Sequence, residues 1–218
     1  MKLVKTSFAL LAVFSLSAGL LGASSASATV ASNAPKTVCK AVTATPRVAG
    51  VYSLPKVVSG SDSTKITLST NCGDIVFTAF GKKAPTTVSV FSFLIKKGYF
   101  NNTLCHRIVT AGIYVLQCGD PTASGRGGPG FAFKDENLPK YVANNYPAGT
   151  IAMANAGPGT NGSQFFIVYK DTTLPAAYTI WGKVTSGLNI VQYVAAKSAA
   201  VGDGFPVQPI AILKASVK

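Results

Sequence analysis

The sequence predicts a mainly β protein, an antiparallel barrel or sandwich carrying two helices. Three observations lead there: many short β-prone runs, only two stretches with helical spacing, and few places for a β-α-β crossover. Lys65 to Thr70 alternates, Asn71-Cys72-Gly73-Asp74 supplies turn chemistry, and Ile75 to Phe80 returns, so this region reads as a hairpin. A helix follows. Pro85 suits its first turn, Val88, Phe91, Leu94 and Ile95 form an apolar stripe, Lys96 and Lys97 favour its C-terminal dipole, and Gly98 ends it. Thr103 to Val109 and Ile113 to Gln117 are strand-like. A glycine-rich stretch from Asp120 to Gly130 leads into Phe131-Ala132-Phe133. Tyr178 to Val184 is a further strand, Leu188 to Ala200 a second helix, and Val207 to Val217 closing strand material.

Ile151 to Ile167 has a different make-up. Its apolar ends flank Asn155 to Gln164, a middle made almost wholly of small and amide residues. A Gly/Asn/Pro segment between strands is ordinarily a turn. This one is too long for a tight hairpin and carries amides beside Phe165 and Phe166, which suits a hydrogen-bonding wall next to an apolar slot.

Composition bounds the rest. The chain has 218 residues, 48% of them hydrophobic and only 12% charged, enough for one full core plus extras. Its net charge of +13 favours loose attraction to anionic material, such as cell-envelope components. The lysines are scattered, without an arginine-rich run or a basic helix, which argues against a specific nucleic-acid partner. Lys2 and Lys5, an apolar run from Phe8 to Leu21 and Ala26-Ser27-Ala28 describe a secretory signal peptide over residues 1–28, cleaved near Ala28. The mature chain is therefore read as extracytoplasmic or secreted. Residues 29–63 lack any sustained period and read as an extended arm, ahead of a domain at 64–218.

Export changes the meaning of the four cysteines. With no C-x-x-C pair and His106 as the single histidine, a zinc site is poorly supported, and an even count favours two disulfides. Of the three pairings that four cysteines allow, Cys105–Cys118 is favoured because both lie in neighbouring strand segments. Cys39–Cys72 would then tie down the arm.

Familiar catalytic arrangements are missing. There is no G-x-S-x-G elbow, and any triad would depend on His106, inside a predicted strand. Asp135-Glu136 is the only adjacent acid pair and reads as a solvated turn. The glycine-rich stretch has no Gly-Lys-Ser/Thr ending and no following helix, so it does not cradle phosphate. Arg107, one of three arginines, lies within an apolar strand, where an unpaired charge is costly. It needs a salt bridge or a function. His106 should face the other way, because strand side chains alternate, and reads as structural.

Taken together, His106-Arg107-Ile108-Val109, Tyr114 to Pro121, Gly125-Arg126-Gly127-Gly128-Pro129-Gly130 and Ala152 to Ile167 resemble the signature blocks of the cyclophilin family, and Tyr178 to Val184 is similar to another of its strands. The resemblance covers roughly Lys65 to Lys218. It implies a closed eight-stranded antiparallel barrel capped by two α-helices, and peptidyl-prolyl cis-trans isomerase activity without metal or cofactor. Arg107 matches the catalytic arginine. Tyr114, Val115, Phe166 and Leu174 match the proline slot, with Tyr178 at its rim; Gln117 and the Asn155 backbone match peptide-binding positions. Ala156 and Gln164 border the groove for residues preceding proline, and Arg126 lies at its edge.

Tyr114, Val115 and Tyr178 replace the family's frequent Phe, Met and His. The segment between Arg107 and Gln117 is about two residues longer than in common eukaryotic members, which predicts a bulge. Thr173 stands where cyclosporin-sensitive members carry Trp, which implies weak cyclosporin binding. The implied partners are proline-containing segments of folding exported proteins, met by a monomer. The competing reading is a proline-peptide-binding or envelope-associated module without turnover.

Overall fold

The computed structural model describes residues 37–58, 60 and 62–218. The predicted leader and the start of the arm lie outside them. Ten strands and two helices follow in chain order: β1 (Thr64–Thr70), β2 (Gly73–Ala79), α1 (Pro85–Lys96), β3 (Thr103–Leu104), β4 (Arg107–Val109), β5 (Val115–Cys118), β6 (Thr150–Met153), β7 (Phe165–Val168), β8 (Ile180–Ser186), α2 (Leu188–Lys197), β9 (Asp203–Gly204) and β10 (Ala211–Val217). All pairings are antiparallel, in the order β3-β10-β1-β2-β8-β6-β7-β5-β4-β9. Eight strands have three or more residues; β3 and β9 have two each.

The single strand predicted over Thr103 to Val109 is broken, and the break shapes the barrel. β3 pairs with β10, whereas β4 pairs with β5. Between them the Cys105 N–H donates to the Ile210 carbonyl at 3.0 Å, and the His106 N–H to the Gln117 carbonyl at 3.1 Å. One continuous segment thus serves both ends of the curled sheet and closes it through the chain itself.

Local chemistry accounts for the elements. β1 and β2 form a hairpin whose closing pair is Thr70 and Gly73. Alternate residues Ile66, Leu68, Ile75, Phe77 and Ala79 are buried. The predicted stripe of α1 is buried as expected. At its end Gly98, with φ 68°, lets its N–H reach Ile95 O and that of Tyr99 reach Leu94 O, both at 2.9 Å. This pair of bonds satisfies carbonyls that would otherwise lack partners. The α1 N-terminus has no local side-chain cap; Glu136 supplies one from a distance, accepting from Thr86 N at 3.0 Å and Thr87 N at 2.9 Å. Glu136 and its neighbour Asp135 are therefore not a solvated turn, since both carboxylates are spent on backbone and amide donors.

Phe91 of α1 seats the helix on the barrel, 4.1 Å from the Trp181 ring, 5.2 Å from Phe100 and 5.5 Å from Phe165. Strand alternation sorts residues between this core and a smaller outer cluster. Phe165 and Ile167, Leu116 and Cys118, and Ile151 and Met153 enter the main core. Phe166, Val168, Val115 and Ala152 face outward, where they pack with Val109, Tyr146 and Leu174.

Both favoured disulfides are present, Cys39–Cys72 and Cys105–Cys118. The described part of the arm has no regular secondary structure, yet it is docked. Arg47 N bonds Pro121 O at 2.9 Å, Tyr52 N bonds Pro129 O at 2.8 Å, and Val58 N bonds Ser89 Oγ at 2.9 Å. The Tyr52 ring packs edge-on against Phe93 and Tyr99.

Phe91→Ala should cost about 3–5 kcal/mol, because it empties the contact between α1 and the barrel. Urea unfolding of the oxidised chain tests this, and a loss below about 1 kcal/mol would contradict the packing described.

Candidate functional site

The outward faces of β4, β5, β6 and β7 carry the site. β4 places Arg107 directly opposite Gln117 of β5, and β5 places Gln117 opposite Phe166 of β7. A cleft of about 170 Å³ opens here, lined by Arg107, Ile113, Val115, Gln117, Ala154, Asn155, Phe166, Leu174 and Tyr178. A second hollow of about 430 Å³ shares Gln117, Ala154 and Asn155 with it and extends over Arg126, Ala156, Gln164 and the glycine-rich loop. A small slot, with Phe166, Val115 and Leu174 in its wall, and a longer groove thus meet at Gln117 and Asn155.

Nearly every residue predicted for the site lies in one of these hollows. Tyr114 does not. It packs against the main core and Tyr169, under Lys170, whose Nζ lies 4.4 Å from the ring centroid. Tyr114 lies in the connection ahead of β5, and it is Val115, the first residue of the strand, that lines the slot. Ile113 takes the predicted place of Tyr114, and the extra length of the 110–114 connection is absorbed before β5 begins.

The slot is held rigidly. Phe166 meets Tyr178 edge-on at 5.6 Å. Tyr146 donates its hydroxyl to Tyr178 O at 3.0 Å and accepts from Tyr178 N at 3.1 Å, while Asn145 brackets Leu174 through bonds to its carbonyl and N–H. Sequence reasoning passed over Asn145 and Tyr146, which act through backbone contacts that leave no pattern. The amide wall is also internally braced. Asp135 accepts from Asn161 Nδ2 at 2.8 Å and Gly159 N at 2.9 Å, and Asn155 Nδ2 reaches Ala177 O at 2.9 Å.

Arg107 is held on two sides. Its Nε donates to Asp203 Oδ1 at 2.8 Å and its Nη2 to Asp203 Oδ2 at 2.7 Å, while Nη1 donates to Gln117 Oε1 at 3.1 Å. A guanidinium has five N–H donors. Among the described residues three are used, leaving one on each terminal nitrogen. The Arg107 bonds hold the Asp203 carboxyl below its ordinary 3.8. Sequence analysis missed Asp203, which sits 96 residues away in a two-residue strand.

From Gln117 a polar chain runs into the groove wall. Gln117 Nε2 donates to Gln164 Oε1 at 2.9 Å, and Gln164 Nε2 to the carbonyls of Gly125 and Gly127 at 3.0 and 2.9 Å. The glycine-rich loop is wound around the fully buried Asp120, which accepts from Thr122 N and Oγ1, Ser124 N and Gly127 N. Burial pushes the Asp120 carboxyl up, but these bonds together hold it below 3.8. Any side chain at Gly127 would run into that carboxylate.

The chain belongs to the cyclophilin-type peptidyl-prolyl cis-trans isomerase family, whose model matches residues 65–217. Among its relatives, a probable peptidyl-prolyl cis-trans isomerase B of Mycobacterium leprae is 42% identical over 77% of this chain and 59% of that protein. The peptidyl-prolyl cis-trans isomerase-like 1 of Mus musculus is also 42% identical, over 68% of this chain and 89% of that one. The chain spans under three-fifths of the length of the mycobacterial relatives it matches. A crystal structure of a Cryptosporidium parvum cyclophilin, determined in the presence of the dipeptide Ala-Pro, is similar with a TM-score of 0.62 and 32% identity, covering 71% of this chain and 98% of that one.

His106 lies beneath the groove loop, buried, with neither ring nitrogen hydrogen-bonded among the described residues. Burial lowers its pKa from 6.5, against the opposing pull of the Asp120 carboxylate. The unfolded chain therefore takes up this proton more readily, and stability falls as pH drops below about 6.5. The denaturation midpoint should decrease from pH 8 to pH 5, and His106→Gln should flatten that decrease. An equal pH dependence in both proteins would contradict the burial.

Proposed function

We propose that the chain is a prolyl isomerase acting on exported proteins, with Arg107 stabilising the twisted amide. The observation that carries this reading is a fixed guanidinium, with two N–H donors unused among the described residues, at the edge of a small slot walled by Val115, Phe166 and Leu174. An X–Pro bond turns over in about tens to hundreds of seconds unaided, over a barrier of about 18–20 kcal/mol. The barrier is amide resonance. As the bond twists, the prolyl nitrogen becomes pyramidal and gains a lone pair able to accept a hydrogen bond. A donor aimed there helps only in the transition state, and such selective stabilisation raises the rate. Phe166, Val115, Ile113 and Leu174 would hold the ring while the preceding carbonyl rotates, and Gln117 with the Asn155 main chain would bind the peptide on either side.

The Ala-Pro dipeptide used with the Cryptosporidium relative supports the substrate class. Two disulfides and the leader-like start of the chain support exported clients. A charge-assisted hydrogen bond contributes about 1.5–3 kcal/mol, so Arg107→Ala should slow isomerisation by roughly one to two powers of ten. A protease-coupled assay on an Ala-Pro peptide measures this, and equal rates for the two proteins would remove the mechanism.

Arg126 extends the reading upstream. It is exposed on the larger hollow, and its guanidinium makes no hydrogen bond or ion pair with another described residue. It should favour an acidic side chain preceding the X–Pro pair. For one exposed charge pair the gain is up to about 1 kcal/mol, or roughly fivefold in kcat/KM, fading in high salt. Glu and Gln peptides turned over alike at low salt would contradict it.

A further inference from the structure

We infer that Asp203 is a positioning residue for the reaction, setting the plane of the Arg107 guanidinium without touching substrate; this rests on the isomerase reading above. β9 pairs with β4 so that Asp203 stands opposite Val109, with Gly204 opposite Ile108. Side chains directly opposite and diagonal on an antiparallel pair share a face. The Asp203 carboxylate therefore emerges on the face that bears Arg107 and reaches it diagonally. The turn behind it is tied to the end of β4: Thr110 N donates to Gly202 O at 2.7 Å, and Gly202 N to Thr110 Oγ1 at 3.1 Å. Gly202 has φ 70°, a conformation that glycine adopts without strain.

The two parallel bonds from Nε and Nη2 fix the guanidinium in a plane, which a single bond cannot do. Gln117 holds only Nη1. Without Asp203 the arginine keeps its charge and that one contact but can swing about its long side chain. The slot itself is lined by Arg107 and not by Asp203, so ground-state peptide binding does not depend on the carboxylate. The pair is also half exposed, with 39% of the arginine and 53% of the aspartate side chain accessible, so it contributes little to stability and its loss leaves the fold intact.

The test compares the wild-type protein with Asp203→Ala, Asp203→Asn, Arg107→Ala and the double variant Arg107→Ala/Asp203→Ala. Exchange of an Ala-Pro peptide gives the rate, NMR titration of the same peptide gives Kd, and thermal unfolding checks the fold. Asp203→Ala should lower kcat roughly tenfold to a hundredfold, the scale on which misplacing a reacting group acts, with Kd changed less than about twofold. Asp203→Asn, which keeps one acceptor oxygen, should fall between. In the Arg107→Ala background the second substitution should change nothing. An unchanged kcat in Asp203→Ala, or a loss carried wholly by Kd, would overturn the assignment. Full activity in Arg107→Ala, or no turnover by the wild type, would instead remove the isomerase reading beneath it.

Discussion

Register between β4 and β5 is the constraint on which the site depends. Because side chains alternate, pairing Arg107 with Gln117 sends both to the outer face and sends Ile108 and Leu116 into the core. A slip by one residue would bury the charge and expose the aliphatics, so the cost of desolvating an arginine protects the register. Cys105–Cys118 crosses between the same two segments just beyond the functional pair. The break at Cys105-His106 has a related effect. By leaving β10 and joining β5, the chain closes the barrel at the point where the arginine must emerge.

The slot and the upstream groove are mechanically one object. A line of hydrogen bonds runs from Asp203 through Arg107, Gln117 and Gln164 to the carbonyls of Gly125 and Gly127, and the Gly127 N–H closes on buried Asp120. Each amide in the line donates one way and accepts the other, which sets its orientation. The wall of the longer groove is therefore anchored to Arg107. The arm adds a brace from behind, bonding the loop near both ends at Pro121 and Pro129. The Arg107–Gln117, Gln117–Gln164, Gln164–Gly127 and Gly127–Asp120 links are half-buried, so breaking one costs more than breaking the exposed Arg107–Asp203 or Gln164–Gly125 bonds would.

What could be read from sequence divides along physical lines. Periodic features were legible: the stripe of α1, the hairpin, the alternation that turned Arg107 outward and His106 away. So was the Asn155 to Gln164 segment, whose amides and small residues stood out between apolar strands. Tyr114 was assigned to the slot by likeness to relatives, whereas from the connection ahead of β5 it packs against the main core and Tyr169. Asp135 and Glu136 were misjudged because a carboxylate accepting backbone N–H bonds looks, in sequence, like one facing water. Asp203 and the arm were hidden for another reason. Their partners lie far along the chain and are reached through single contacts, which leave no period and no motif.

The proposed site combines a held guanidinium, a small slot and a braced wall, and the proposed reaction calls for no nucleophile because no covalent bond changes. What separates an isomerase from a mere binder of proline peptides is exchange on the protein. NMR exchange spectroscopy on an Ala-Pro peptide with a small molar fraction of the wild-type chain tests this most directly. Isomerisation at this site predicts cis–trans cross-peaks at mixing times below about one second, where the free peptide, exchanging over tens to hundreds of seconds, shows none. Peptide resonances that shift on binding while exchange stays at the uncatalysed rate would contradict it.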